Sequence, residues 1–252
     1  MDLKLKGKNA VITGASRGVG RAIALGLARE GVNVAVCASH LGETIEAVAQ
    51  AARDCGVRAV ALAADMGDSA QVLRLMDEAK TFLGTLDILV NNAGIWLQGW
   101  CQDIPLEDWE RSMDVNLTGP FLTSQYFAKA NLEAGRPGKI ININSQAAFN
   151  GSTTGHAHYA ASKAGMTAMT ISMARELSPK GITVNGVALG IVETDMTKQA
   201  IADKPGYYEG RIPIGRVAKP EDVANIVVFL ASEPAGYLTG TTIDATGGML
   251  MR

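Results

Sequence analysis

The chain has 252 residues, a formal charge of −2, 47% apolar residues and 19% charged ones. So balanced a charge excludes the basic footprint of a nucleic-acid binder, and no apolar run approaches the ~18 residues of a membrane span. Cys37, Cys55 and Cys101 are widely spaced and form no C-x-x-C, so they read as reduced thiols, two of them core filler, and Met1–Lys6 lacks the apolar stretch of a secretory leader, which together predict a soluble, cytoplasmic protein.

Short apolar runs alternate with longer helical stretches along the whole chain. Strands are predicted over 9–13, 32–37, 59–63, 88–91, 139–143, 183–188 and 242–244, and helices over 19–30, 43–55, 69–83, 107–132, 158–177 and 221–231. Most of the strand runs are nearly continuous in apolar residues, as parallel strands covered on both faces are. The alternation predicts an α/β fold, a doubly wound parallel sheet with helices on both faces in three layers, as one domain over 1–252. Residues 193–217 carry Pro205, Gly206, Gly210, Pro213 and Gly215 between a strand and a helix. That stretch reads as a substrate lid, with disorder as the alternative.

The first strand runs directly into Thr13-Gly14-Ala15-Ser16-Arg17-Gly18-Val19-Gly20, and a helix follows. Glycines there let the backbone approach a ligand, and a helix N-terminus favours a pyrophosphate. A carboxylate at the end of the second strand would select NAD by its ribose hydroxyl. Here Ala38, Ser39 and His40 stand instead, and Arg17 is placed to reach a 2′-phosphate with Ser39 as a further donor, so NADP(H) is the expected cofactor. Further along, Tyr159 and Lys163 are four residues apart on one helix face, where the ammonium can act on the phenol. A free phenol ionises near pH ~10. A nearby fixed cation lowers that value and makes the tyrosine a proton donor or acceptor near neutrality.

These motifs, taken in order, resemble the short-chain dehydrogenase/reductase family, of the type with roughly this chain's length and similar to 3-oxoacyl-[acyl-carrier-protein] reductases. The resemblance spans the whole chain. It rests on T-G-x-x-x-G-x-G at 13–20, Asp65-Met66, Asn91-Asn92-Ala93-Gly94, Asp114-Val115-Asn116-Leu117, Ser145, Tyr159 with Lys163, and the segment 216–248. It implies a Rossmann-type fold and reversible hydride transfer between a nicotinamide and a carbonyl or alcohol carbon. The catalytic set it implies is Asn116, Ser145, Tyr159 and Lys163. Tyr159 would pass the proton, Lys163 would lower its pKa and hold the nicotinamide ribose, Ser145 would polarise the carbonyl, and Asn116 would fix a relaying water. The implied cofactor contacts are Gly14, Ser16, Arg17, Gly18, Val19, Ser39, Asp65, Met66, Asn92, Ala93, Gly94, Tyr159, Lys163, Val192 and Thr194.

Three positions depart from the family pattern. Ser145 and Tyr159 are one residue further apart than is usual, Leu189-Gly190 replaces Pro-Gly, and Ala245-Thr246-Gly247-Gly248 lacks an aspartate before the glycine pair. His156 and His158 flank the tyrosine but make a poor metal site without a third ligand. His156 lines the substrate mouth or is a plain loop histidine, and Trp96 and Trp100 either reach the cleft or pack elsewhere. No metal is expected. The leading substrate reading is a small ketone, sugar or polyol. The alternatives are a 3-oxoacyl group on acyl carrier protein, for which Arg136 and Lys180 give a thin basic patch beside Glu133, and a non-catalytic dinucleotide sensor. The resemblance also implies a homotetramer packed through the helices at 107–132 and 158–177.

Overall fold

The computed structural model describes residues 1–152 and 154–252. Seven strands form one parallel sheet: β1 Asn9–Ile12, β2 Asn33–Ala38, β3 Ala59–Ala63, β4 Ile88–Asn91, β5 Gly138–Ser145, β6 Ile182–Leu189 and β7 Thr242–Ala245. Their order is β3-β2-β1-β4-β5-β6-β7, so the chain reverses its direction of winding between β1 and β4. Side chains alternate between faces, as the pleat demands. Ala10, Ile12, Val34, Val36, Ile141 and Val187 meet α1 Gly18–Arg29, α2 Glu43–Arg53 and α9 Pro220–Ala231. Val11, Ala35, Leu89, Ile140 and Val184 meet α3 Ser69–Leu83, α5 Gly119–Glu133 and α7 Ala157–Leu177 on the other face. The three predicted layers and the doubly wound parallel sheet are present.

Local signals explain several helix ends. The Asp68 carboxylate accepts from Ala70 N and Gln71 N at the start of α3, and Gly84, at φ 84°, turns the chain out of its end. Pro220 opens α9, where the Asp222 carboxylate accepts from Lys219 N at 2.7 Å.

Three expectations are corrected. The helix expected over 107–132 is broken into α4 Leu106–Met113, a π-helical turn Asp114–Thr118, and α5. Close packing accompanies the break: a Cβ on Gly119 would meet Met66 O at 2.4 Å, and one on Gly165 would meet Leu117 Cδ2 at 2.8 Å. Gly165 is therefore small because of a contact within this chain. Secondly, β5 and β6 run longer than their apolar cores, pairing from Gly138↔Ile182 to Ser145↔Leu189. The polar residues that interrupt the pattern are satisfied sideways: Asn142 Nδ2 donates to Thr170 Oγ1 at 2.9 Å and Asn144 Nδ2 to Thr167 Oγ1 at 2.6 Å. Thirdly, only Cys37 is buried, and Cys55 and Cys101 are exposed. Cys37 lies within a central strand, whereas Cys55 falls in the turn that ends α2, so one cysteine rather than two fills core.

Residues 193–217 carry secondary structure of their own: α8 Lys198–Ala202 and a 3-10 turn at Glu209–Arg211. Their ends are pinned together, since Val192 bridges Ala218 and Glu193 N donates to Ala218 O at 2.8 Å. Leu189 stays in the ladder, with Gln146 N donating to its carbonyl at 2.9 Å and Gly190 N to Ala245 O at 3.3 Å. The neighbouring strands thus supply the restraint that a proline would have given. No described helix is long and apolar enough to cross a membrane.

Candidate active site

The carboxyl ends of β1 to β6 open into one cleft of about 660 Å³ where the strand order reverses, the expected place for a ligand in an open α/β sheet. Gly14, Ser16, Arg17, Gly18, Val19, Ser39, Asp65, Met66, Asn92, Ala93, Gly94, Ser145, Tyr159, Lys163, Val192 and Thr194 all line it. Of the predicted site residues only Asn116 does not. It lies fully buried in the π-helical turn behind the cleft wall.

At the dinucleotide end, Gly14 and Gly18 have φ of 65° and 54°, values L side chains rarely adopt. A Cβ on Gly20 would sit 2.2 Å from Gly14 O, and one on Gly14 would sit 2.7 Å from Ala93 Cα. The start of α1 has no side-chain cap and no acidic residue in its first turn, which leaves its N–H groups for an anion. A smaller concavity of about 180 Å³ adjoins it, lined by Ser16, Arg17, Ala38, Ser39 and His40, with Ser39 Oγ and His40 Nδ1 3.0 Å apart. These features fit a dinucleotide with a phosphate near Arg17 and Ser39.

Two predicted contacts are already engaged with protein. Asn92 Nδ2 donates to Thr13 O at 3.0 Å and Gly14 O at 2.9 Å, while Thr13 Oγ1 accepts from Asn92 N and Ala93 N. Asn92 is thus a brace for the glycine turn. Asp65 Oδ1 accepts from Arg111 Nη2 at 2.8 Å and Gly67 N at 2.9 Å, and the Arg111 hydrogen bond holds its carboxyl below the usual range. Arg111, a cleft residue on α4, carried no sequence signal beyond its charge.

At the reaction end, α7 places Tyr159 and Lys163 one turn apart beneath the end of β5. Lys163 Nζ donates to Ile143 O at 2.8 Å and lies 5.9 Å from the Tyr159 ring centroid. Burial lowers the Lys163 pKa to about 8, and burial also raises that of Tyr159, with the Ser145 hydroxyl pulling it back. In the ligand-free site the Lys163 ammonium is turned to Ile143 O, and burial sets the direction of the Tyr159 shift. The phenol stays protonated at neutral pH.

Asn116 is held by protein. Its Nδ2 donates to Ile95 O at 3.0 Å and Ser162 Oγ at 3.2 Å, and its Oδ1 accepts from Ile95 N at 2.8 Å. The carboxamide clamps the exit of β4, with both of its N–H groups engaged. A Cβ on Gly94 would lie 3.2 Å from Asn116 Oδ1 and 3.7 Å from Lys163 Nζ, so glycine there lets the two sides meet.

Comparison with known proteins decides the family. A family profile described as enoyl-(acyl carrier protein) reductase matches residues 14–250. The 3-oxoacyl-[acyl-carrier-protein] reductase FabG of Aquifex aeolicus is 40% identical over 250 residues, covering 99% of this chain and 100% of that protein. The chain belongs to the short-chain dehydrogenase/reductase family. A family crystal structure from Mycobacterium marinum superposes with a TM-score of 0.94 at 37% identity, covering 100% of this chain and 99% of that one. Another, from Agrobacterium tumefaciens, is provisionally assigned as a 2-deoxy-d-gluconate 3-dehydrogenase and contains NADP; its TM-score is 0.90 at 36% identity, covering 100% and 99%. As a member of this family, the chain is an oxidoreductase.

The rest of the cleft was only partly foreseen. Trp96 lines it, stacked on His156 at 4.3 Å, while His156 Nδ1 donates to Leu97 O at 2.7 Å. His156 is thus a buried support for the indole, and Trp100 is exposed outside the cleft. Residues 193–217 contribute Met196, Lys204, Tyr207, Tyr208 and Arg211, and the segment after β7 contributes Met249. The recurrence of Lys204, Tyr207 or Tyr208, and Arg211 every three to four positions is the signal that could have singled these residues out.

Proposed function

We propose that the protein is an NADP(H)-dependent reductase of 3-oxoacyl thioesters. The carrying observation is the placement of Tyr159 in the cleft beside Ser145 and one helical turn from Lys163. NADPH, when bound, would supply the hydride for the carbonyl carbon. Tyr159 gives its proton to the carbonyl oxygen, and the Ser145 hydroxyl donates a hydrogen bond to the same oxygen as negative charge develops there. Lys163 holds the ribose hydroxyls and restores the phenol proton. Asn116 acts through structure, fixing Ile95 and the cleft wall, so a relaying water would be held by main-chain oxygen. Arg17 and Ser39 take the 2′-phosphate. The relative from Aquifex aeolicus named for 3-oxoacyl-[acyl-carrier-protein] reduction, matching along its full length, supports the thioester.

A second reading, reduction of a small ketone, sugar or polyol, is supported by the state of the expected carrier-docking patch. Arg136 is paired with Asp87 at 2.9 Å, and Arg136 and Lys180 precede β5 and β6, at the end of the sheet away from the cleft. NADPH oxidation across 3-oxoacyl thioesters, keto sugars and simple ketones separates the two. Turnover of the thioester alone supports the first reading, and turnover of a keto sugar alone replaces it.

The lid role of 193–217 and a homotetramer belong to the same proposal. Leu106, Trp109, Phe121 and Ile171 are exposed on α4, α5 and α7, an apolar surface that a second copy would cover. Light scattering on the purified protein tests the assembly.

A further inference from the structure

The lid carries a cation cluster that no step above uses. Lys204 Nζ lies 5.3 Å and the Arg211 guanidinium 5.0 Å from the Tyr207 ring centroid, and Arg211 Nη1 donates to Tyr207 Oη at 2.5 Å. Turn hydrogen bonds from Tyr207 N to Lys204 O and from Arg211 N to Tyr208 O fold the three together. All three line the cleft. Among the described residues neither cation has a carboxylate within ion-pair distance. Two acids of the segment are engaged elsewhere, Asp195 with Arg17 and Asp203 with Gln199, and Glu209, in the same turn as Arg211, forms no ion pair with either cation.

Two like charges gathered on one ring repel each other, and the aromatic face offsets only part of that cost. An anion between them removes the repulsion and gains charge-assisted hydrogen bonds. The position decides what the anion belongs to. Arg17 and Ser39 follow β1 and β2 on one half of the sheet, whereas the lid follows β6 and Met249 follows β7 on the other. The cluster thus faces the substrate half.

We propose that Lys204, Tyr207 and Arg211 bind an anionic group of the substrate, remote from the carbonyl that is reduced. This rests on reading Ser145, Tyr159 and Lys163 as the carbonyl-reducing centre. A phosphate on a pantetheine arm and the carboxylate of a keto-sugar acid both supply that chemistry.

The test uses two matched pairs with the full chain: 3-oxobutanoyl-phosphopantetheine against 3-oxobutanoyl-pantetheine, and a keto-sugar acid against its methyl ester. The double variant Lys204→Ala/Arg211→Ala should raise KM about tenfold for the anionic member of one pair, with kcat and the neutral member nearly unchanged. Lys204→Arg/Arg211→Lys, which keeps both charges, should restore most of the loss. A response in the first pair names the phosphate as the source, and one in the second names the carboxylate. Equal KM for both members of each pair in the wild type overturns the proposal, as does an equal change for both in the double variant. If no substrate turns over, the reductase reading fails by itself. Calorimetry with phosphopantetheine and with the keto-sugar acid then decides the anion site separately: binding lost in the double variant sustains it, and no wild-type binding refutes it.

Discussion

Arg17 Nη1 in the glycine turn and Asp195 Oδ2 in the segment after β6 stand 3.4 Å apart across the mouth of the cleft, both side chains largely exposed. The contact joins the segment after β1 to the segment after β6, and Asp195 therefore holds the guanidinium that a 2′-phosphate would use. Exposed pairs of this kind are weak. Asp195→Asn should accordingly tighten NADPH binding by about two- to fivefold and leave NADH binding nearly unchanged. Arg17→Ala should weaken NADPH about tenfold or more with little effect on NADH. Fluorescence titration with both dinucleotides measures this, and unchanged NADPH affinity in Arg17→Ala would remove Arg17 from the phosphate site.

Tyr159→Phe keeps the ring and deletes the proton donor. Dinucleotide affinity should survive while kcat drops by about 10²–10⁴. Because burial keeps the phenol protonated, carbonyl reduction should hold its rate through neutral pH. Alcohol oxidation needs the phenolate and should climb as the solution is made alkaline. A pH profile in which both directions rise together would sink this assignment.

The buried Lys163 makes stability depend on pH in a definite sense. Its pKa falls from 10.5 to about 8 on folding. Below about pH 8 folded and unfolded chains both carry the proton, and the folded state bears the whole cost of burying the charge, on the order of 3 kcal/mol. Above that the folded protein releases the proton first, so this contribution favours folding increasingly up to the unfolded value. Cys37, pushed up to about 12 by burial, acts in the opposite direction, since its unfolded thiol ionises first. Subtracting the melting curves of Lys163→Met isolates the lysine. Wild type should gain on the variant between about pH 8 and about pH 10.5. Parallel curves would show that the ammonium is not desolvated in the ligand-free protein.

Gly20→Ala drives a methyl group to 2.2 Å from Gly14 O, a backbone atom that cannot swing aside, and to 2.5 Å from Asn92 Nδ2. The turn must open, at a cost of about 1–3 kcal/mol, and dinucleotide binding should be lost. Asn92→Ala leaves the space intact but removes two hydrogen bonds to Thr13 O and Gly14 O. It should lower Tm by about 2–4 °C and weaken binding in proportion. Binding in Asn92→Ala equal to wild type would mean that the turn holds its shape without the brace.

Much of this arrangement was legible because it rests on short-range rules. Near-continuous apolar runs located the strands, and the glycine spacing at 14–20 located the turn that receives them. Helical period put Tyr159 and Lys163 on one face, and only the other motifs of the chain singled that pair out. What was hidden depends on contacts between distant segments. Nothing local shows that Asn92 braces Thr13 and Gly14, or that Asn116 is consumed by Ile95. The direction of the Tyr159 shift also escaped, because a sequence places the lysine near the phenol but does not report how deeply both are buried. Arg111 and Asp65 are 46 residues apart and meet only in the folded chain.

The π-helical turn at Asp114–Thr118 holds one residue more than an α-helical turn would. One added residue advances everything beyond it by about 100° around the helix axis. Downstream, Thr123 Oγ1 donates to Asn91 Oδ1 at 2.6 Å, Asn91 Nδ2 donates to Ser124 Oγ at 3.0 Å, and Phe127 is fully buried. Those partners face the sheet only in the rotated phase. Deleting Leu117 would restore an ordinary helix and turn Thr123, Ser124 and Phe127 away from β4 and β5, while dragging Asn116 off Ile95. The turn behaves as a gear tooth shared by two wheels. The wall behind Lys163 and the packing of an entire helix can be altered only together, so the reaction centre cannot drift without unseating the core it leans on.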